Sequence, residues 1–233
     1  MIISHEHKFI FLKTRKTAGT SVELALRQLC GPDDIIAPIG NAEERRQQSL
    51  HYDGRPPQNW RVHGWWQSPR PLFKRYWFRF NPGDYGFYNH IPAKQARALL
   101  NDDKAWRSYF KFAFERNPWD RQVSAYHFRY RDTQAPPFSS YMRRRRRAWI
   151  NNYEIYSIDG APCVDFIGRF ESLDADLRKA LQQAGVSFDQ ELPRAKTNFR
   201  ANGKHYRDYY DDETRKIVAD WYAPEIGLLH YEF

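Results

Sequence analysis

The stretch Phe9-Ile10-Phe11-Leu12-Lys13-Thr14-Arg15-Lys16-Thr17-Ala18-Gly19-Thr20-Ser21 decides the fold. Four consecutive apolar residues predict a short strand covered on both faces, because a half-exposed strand would alternate. The run stops at the polar segment 13–17, where the chain must turn. From Thr20 onward, Val22, Ala25, Leu26 and Leu29 recur at helical spacing, and Gly31-Pro32 supplies the stop after Cys30. The unit is strand, loop, helix. Such a junction brings free backbone N–H groups and the positive end of a helix dipole to one point, a ready anion site. Lys16, Gly19, Thr20 and Ser21 gather there. Glycine lets a backbone approach a phosphate, hydroxyls donate hydrogen bonds, and lysine neutralises charge on a transferred group. A second reading of the same residues makes Thr20 and Glu23 a Ser/Thr-x-x-Glu capping box and the lysines a solvated surface. No GxxxxGK[ST] occurs and the lysine precedes the glycine, which disfavours an ATP-dependent kinase.

The pattern recurs along the chain. Residues 109–114 predict a second buried strand, after which Asn117-Pro118 opens a helix carrying Trp119, Val123, Tyr126 and Tyr130. Residues 164–170 predict a third strand, and a helix from Ser172 turns Leu173, Leu177, Leu181 and Ala184 inward before Gly185 ends it. Pro92 begins a helix through Leu100, with His90 just before it, and a last helix spans 211–222 with acidic residues in its first turn. Strands alternating with helices predict an α/β fold with a parallel sheet. Residues 41–88 are rich in Arg, Gln, Trp, Pro and Gly without sustained periodicity and read as an insertion over a site. Residues 132–152 form a second such stretch, its 132–147 part a surface loop or the flank of a basic helix.

The 233 residues contain no Gly/Ser-rich or Pro-rich linker, so one domain spanning 1–233 is expected. Aromatic residues make up 17% of the chain, with eight Trp, which asks for an explanation beyond an ordinary core. Five of the charges behind the net +9 come from the arginines at 143–147, so the basicity is a local patch. That patch suits a polyanionic cofactor, an anionic glycan, an acidic membrane surface or nucleic acid. Two cysteines, Cys30 and Cys163, without a CxxC pair favour a reducing compartment. The apolar run near the start is too short for a signal sequence or a membrane span, and a cytoplasmic protein is expected.

Residues 13–21 resemble the 5′-phosphosulfate-binding loop of sulfotransferases that use 3′-phosphoadenosine-5′-phosphosulfate (PAPS), specifically the carbohydrate-type, family 2-like branch. Phe114-Glu115-Arg116-Asn117-Pro118-Trp119-Asp120-Arg121, followed by Ser124-Ala125-Tyr126, resembles the 3′-phosphate motif of that family. The likeness extends through Asp165-Phe166-Ile167-Gly168-Arg169-Phe170-Glu171 and residues 206–233. It implies a P-loop-like three-layer sandwich with a central parallel sheet flanked by helices. It implies sulfuryl transfer from PAPS, as co-substrate, to an acceptor hydroxyl, on a carbohydrate or related small molecule. Lys16 would contact the leaving phosphate and the transferred sulfate, within a binding set of Lys13, Lys16, Thr17, Gly19, Thr20 and Ser21. Arg116 and Ser124 would grip the 3′-phosphate. Taken without the resemblance, Asn117 is a helix cap, Pro118 its first turn, and Arg116 a member of an ordinary ion pair. Together the two motifs lie at the ends of different strands, as a sheet holding both ends of one nucleotide requires. Glu115 departs from the family, which commonly has an apolar residue there, and puts the burial of that strand in question.

Sulfuryl transfer needs no metal where cations and N–H donors stabilise the charge, and neither HExxH nor a cysteine cluster is present. A general base should titrate near neutrality and sit by a helix N-terminus, conditions His90 in Tyr88-Asn89-His90-Ile91-Pro92 meets on paper. By resemblance it also matches the histidine that precedes a helix in many carbohydrate sulfotransferases. His63 is the reserve. Trp60, Trp65, Trp66 and Trp77 offer stacking platforms for sugar rings, and the arginine run is either a solvated face or a site for an anionic acceptor. A nucleotide kinase and a basic nucleic-acid-binding module are the competing functions. The first lacks its motif; the second lacks RRM, zinc-finger and heptad signatures, so nucleic acid is not an expected partner.

Overall fold

Five strands form one sheet in the computed structural model, which describes residues 1–40, 44–46, 52–61, 86–190, 192 and 204–233. They are β1 (Ile2–Ser4), β2 (Phe9–Leu12), β3 (Ile35–Ile36), β4 (Phe110–Glu115) and β7 (Phe166–Arg169), in spatial order β3-β1-β2-β4-β7. A separate hairpin pairs β5 (Ser157–Ile158) with β6 (Ala161–Pro162). β2, β4 and β7 are parallel, as the alternating pattern predicts, with Phe9 opposite Phe110 and Phe112 opposite Phe166. The sheet as a whole is mixed, which corrects the expectation of a parallel one. β1 pairs antiparallel with both β2 and β3, because four residues between β1 and β2 permit a reversal but no crossover.

Residue alternation on the strands sorts the core into two faces. Phe9, Phe11, Phe112 and Phe114 pack with Val22, Ala25 and Leu26 of α1 (Gly19–Arg27). On the same face, Leu177, Ala180 and Leu181 come from α8 (Leu173–Gln183). Ile10, Leu12 and Ala113 point the other way, onto Ala93 and Ala96 of α2 (Ala93–Leu100) and Trp106 of α3 (Asp103–Ser108). Tyr156 of α7 (Tyr153–Tyr156) joins that face. Helices therefore cover both sides of the sheet. A third cluster unites Trp119, Val123 and Tyr126 of α4 (Pro118–Arg129) with α5 (Phe138–Met142) and with Val218 of α9 (Asp212–Trp221). The neighbouring α6 (Arg145–Ala148) and α10 (Ala223–Leu229) complete the helices used below.

Among the described residues, many of the aromatic rings pack against one another in the core. Phe9, Phe11, Phe112 and Phe114 form a chain of ring contacts on the sheet, and Tyr126, Phe138, Tyr141 and Tyr210 another in the third cluster. Local signals behave as read: Asn117 accepts from the N–H groups of Trp119 and Asp120, Pro118 opens α4, and Gly185, at φ 75°, follows α8. Residues 132–147 are not one loop; α5 and most of α6 lie there. Both cysteines are free, each thiol donating to a carbonyl, Cys30 to Leu26 and Cys163 to Tyr156.

Candidate active site

The loop between β2 and α1 holds two non-glycine residues in left-handed conformation, Lys16 at φ 65° and Ala18 at φ 55°. Each such residue costs about 1–3 kcal/mol and persists only where its surroundings dictate it. They do so here. The Thr14 hydroxyl donates to the Phe114 carbonyl of β4 and lies 2.8 Å from the Thr17 hydroxyl. Asn152 brackets Arg15, accepting from its N–H at 2.9 Å and donating to its carbonyl at 3.1 Å. His90 Nδ1 lies 3.0 Å from the Lys13 carbonyl, and Arg116 Nη1 donates to the Lys16 carbonyl at 3.3 Å. The end of β4 with the arginine that follows it, a histidine and an asparagine, from three different segments, thus fix one short loop.

The loop delivers the chain to α1, whose N-cap is Ala18 and carries no side-chain cap. The capping-box reading of Thr20 and Glu23 is therefore corrected: Glu23 is fully buried and turned into the core. Its carboxylate meets Lys13 Nζ at 3.0 Å, the Met1 amine at 3.1 Å and Arg27 Nη2 at 2.9 Å. Burial alone would raise its pKa, but Lys13, the amine and Arg27 together hold it at about 2. Lys13 is thus placed inside the protein, on Glu23. That placement also explains Gly19, where a Cβ would stand 2.8 Å from Lys13 Cγ. The glycine makes room for the lysine stem, a reason the sequence reading did not supply.

The other loop residues divide. The Thr17 hydroxyl is buried against Thr14, Ser21 is buried, and Thr20 is half-buried at the first turn of α1. Lys16 is half-buried, and its Nζ lies 4.1 Å from the centroid of Phe128. Phe128 sits on α4 one turn beyond the half-buried Ser124, so the two share a helix face.

Arg116 leaves β4 and pairs with Asp120, its Nε at 2.6 Å from Oδ2, while its guanidinium lies 3.9 Å from the Phe170 ring centroid. The ion pair is what local spacing alone would give. The bond to Lys16 is not, and it brings the second motif onto the first. Glu115, the departure noted above, does not unburden the strand of its burial. It is fully buried and answered by Arg121 Nη1 at 2.7 Å, by the Arg116 N–H at 3.1 Å and by Asn152 Nδ2 at 3.3 Å. Burial raises its pKa, opposed chiefly by Arg121. Asn152 and Phe128 escaped sequence reasoning, since neither carries a local pattern; the odd Glu115 was the one visible signal of the polar network.

His90 itself adopts φ 61°. Because a carbonyl only accepts, its Nδ1 is the donor to Lys13, which leaves Nε2 with a lone pair. Burial, with Lys13 and Arg15 nearby, lowers its pKa to about 3. This corrects the expectation of titration near neutrality: the imidazole is neutral throughout the physiological range. His63, Trp65, Trp66 and Trp77 lie outside the described residues. Trp60 packs partly buried against the second core face, with the Arg61 guanidinium 4.9 Å from its ring. Among the described residues there is no group of three His, Cys, Asp or Glu side chains that could hold a metal, and no helix long and apolar enough to cross a membrane.

A constrained loop feeding a helix without a side-chain cap, with the arginine that follows the neighbouring parallel strand bonded to its backbone, turns helix N–H groups and a guanidinium toward one place. Residues 1–157 match the model of the sulfotransferase family, and the chain belongs to that family. Sulfuryl transfer is the class of reaction this membership carries. An uncharacterized protein of Archaeoglobus fulgidus is 30% identical over 94 residues, covering 36% of this chain and 73% of that protein. The crystal structure of a sulfotransferase from Alicyclobacillus acidocaldarius is similar with a TM-score of 0.46 and 18% identity, over 97% of this chain and 96% of that one.

Proposed function

We propose that this protein transfers a sulfuryl group from PAPS to a hydroxyl of a carbohydrate or related small molecule by in-line displacement, as in the carbohydrate-type branch. The observation that carries the reading is the bond from Arg116 Nη1 to the Lys16 carbonyl, which joins the two motifs expected at opposite ends of the donor. The residues fit such a group: α1 offers first-turn N–H groups without a side-chain cap, and Lys16 and Arg116 flank the same loop. When bound, the donor supplies a sulfuryl group activated by its phosphate leaving group.

In this reading Lys16 leaves the Phe128 ring to neutralise charge on the leaving phosphate and the sulfuryl oxygens, while Gly19 and Thr20 donate N–H bonds and Thr20 and Ser21 hydroxyl bonds. Arg116 and Ser124 hold the 3′-phosphate. Lys13 and Thr17 act from below, by shaping the loop. His90 Nε2 takes the proton of the attacking hydroxyl. A nearby anion stabilises the imidazolium and so raises the basicity of His90 from the donor-free value of about 3, which burial chiefly sets with Lys13 and Arg15 adding to it.

Calorimetry with 3′-phosphoadenosine-5′-phosphate (PAP), without Mg²⁺, tests the reading, with binding expected in the micromolar range, about −8 kcal/mol. Transfer from radiolabelled PAPS should fall on the order of 100-fold or more in Lys16→Ala. Absence of PAP binding at millimolar ligand would overturn the assignment.

A further inference from the structure

A cavity of about 580 Å³ opens between α6, α7, the β5–β6 hairpin and the α9–α10 junction. We propose that it binds an uncharged sugar ring of the acceptor, an inference that rests on the sulfotransferase reading and names the substrate class it serves. The volume lies within the ~300–1,000 Å³ typical of small-molecule sites. Its wall carries Trp149, Tyr153 and Trp221, and Trp149, 42% exposed, is with Phe128 one of two Phe, Tyr or Trp rings left exposed among the described residues. Broad, rigid aromatic faces of this kind suit the apolar C–H faces of a pyranose.

The polar groups of the wall argue for hydroxyls and against charge. Asp159 is already paired with Lys94 at 2.8 Å, and Glu225 with Arg121 at 3.4 Å. Glu154 is exposed and has no ion-pair partner among the described residues, which leaves its carboxylate as an acceptor for sugar hydroxyls. With Asp159 and Glu225 paired, the Glu154 carboxylate is the charge of the lining that disfavours an anionic acceptor. The position fits as well. Asn151 of the wall leads directly into Asn152, which brackets Arg15, and Pro92 of the wall follows His90 by two residues. Two residues of the wall thus adjoin, along the chain, the segments that carry Asn152 and His90.

Saturation-transfer NMR on the full chain tests the proposal with cellotriose, lactose, chitotriose and a sulfated lactose as probes, against Trp149→Ala and Glu154→Gln. Both positions are exposed, and far-UV circular dichroism verifies that each variant is folded. Transfer to at least one neutral probe is expected, with affinity weaker on the order of tenfold in Trp149→Ala and also reduced in Glu154→Gln. No transfer to any neutral probe, equal transfer in Trp149→Ala, or tighter binding of the sulfated probe would each overturn it. PAP binding, measured separately on the wild type, reads the donor site: its absence sinks the sulfotransferase reading, whereas its presence without saccharide binding sinks only the cavity.

Discussion

Arg116 Nη1 reaches the carbonyl of Lys16, a residue 100 positions earlier, at 3.3 Å. The same guanidinium is paired with Asp120 and lies over Phe170, so three segments converge on one planar side chain. A lysine could keep the charge but not this set of directions. Arg116→Lys is expected to weaken PAP binding on the order of 10- to 100-fold with the fold retained. Calorimetry on the variant checks it, and an unchanged affinity would show that Arg116 serves the loop alone.

Gly19→Ala tests the fit of the lysine stem under the loop. The new methyl would sit 2.8 Å from Lys13 Cγ, and Lys13 is held by Glu23. A loss of about 1–3 kcal/mol is expected from overpacking, read from the urea midpoint. A midpoint equal to the wild type would mean that the stem shifts freely.

Asn152→Ala removes both bonds to Arg15 and one to Glu115. The left-handed residues of the loop then lose a brace. A stability loss of about 1–3 kcal/mol and roughly tenfold weaker PAP binding are expected together. If stability falls and PAP affinity does not, Asn152 supports the core network only.

His90 gives a pH signature. Its folded pKa of about 3 lies below the unfolded value of 6.5, so as pH falls below 6.5 the unfolded chain takes up a proton that the folded chain refuses. The contribution of His90 to stability therefore falls with pH in that window, against Glu115, whose raised pKa acts in the opposite sense. The Met1 amine, lowered from 8.0 to about 6, acts above it, and Glu23, lowered from 4.5 to about 2, acts below it. Between about pH 6 and 4.5 the slope of stability against pH should flatten in His90→Asn. The His90 ring protons should also show no titration between about pH 5 and 8 in NMR spectra of the donor-free chain; a midpoint near 6.5 would contradict the burial argument.

The sequence by itself determined the units from which this protein is built. The unbroken apolar run at Phe9–Leu12, the helical spacing after Thr20, and the cap and proline at Asn117-Pro118 are local signals, and each produced its strand or helix. The stretches around Lys16 and Arg116 stood out for the same reason, since the residues of each are neighbours in the chain. What escaped was short or distant. β1 and β3, of three and two residues, are too brief to show a period, yet they make the sheet mixed by pairing across a hairpin and a crossover. Asn152 meets Arg15 across 137 positions, and His90 meets Lys13 across 77. Only the tertiary structure could decide those contacts, and with them the turn of Lys13 toward Glu23 and the low pKa of His90. Burial and long-range charge are properties of the packed sheet, whereas periodicity and capping are carried by residues a few positions apart.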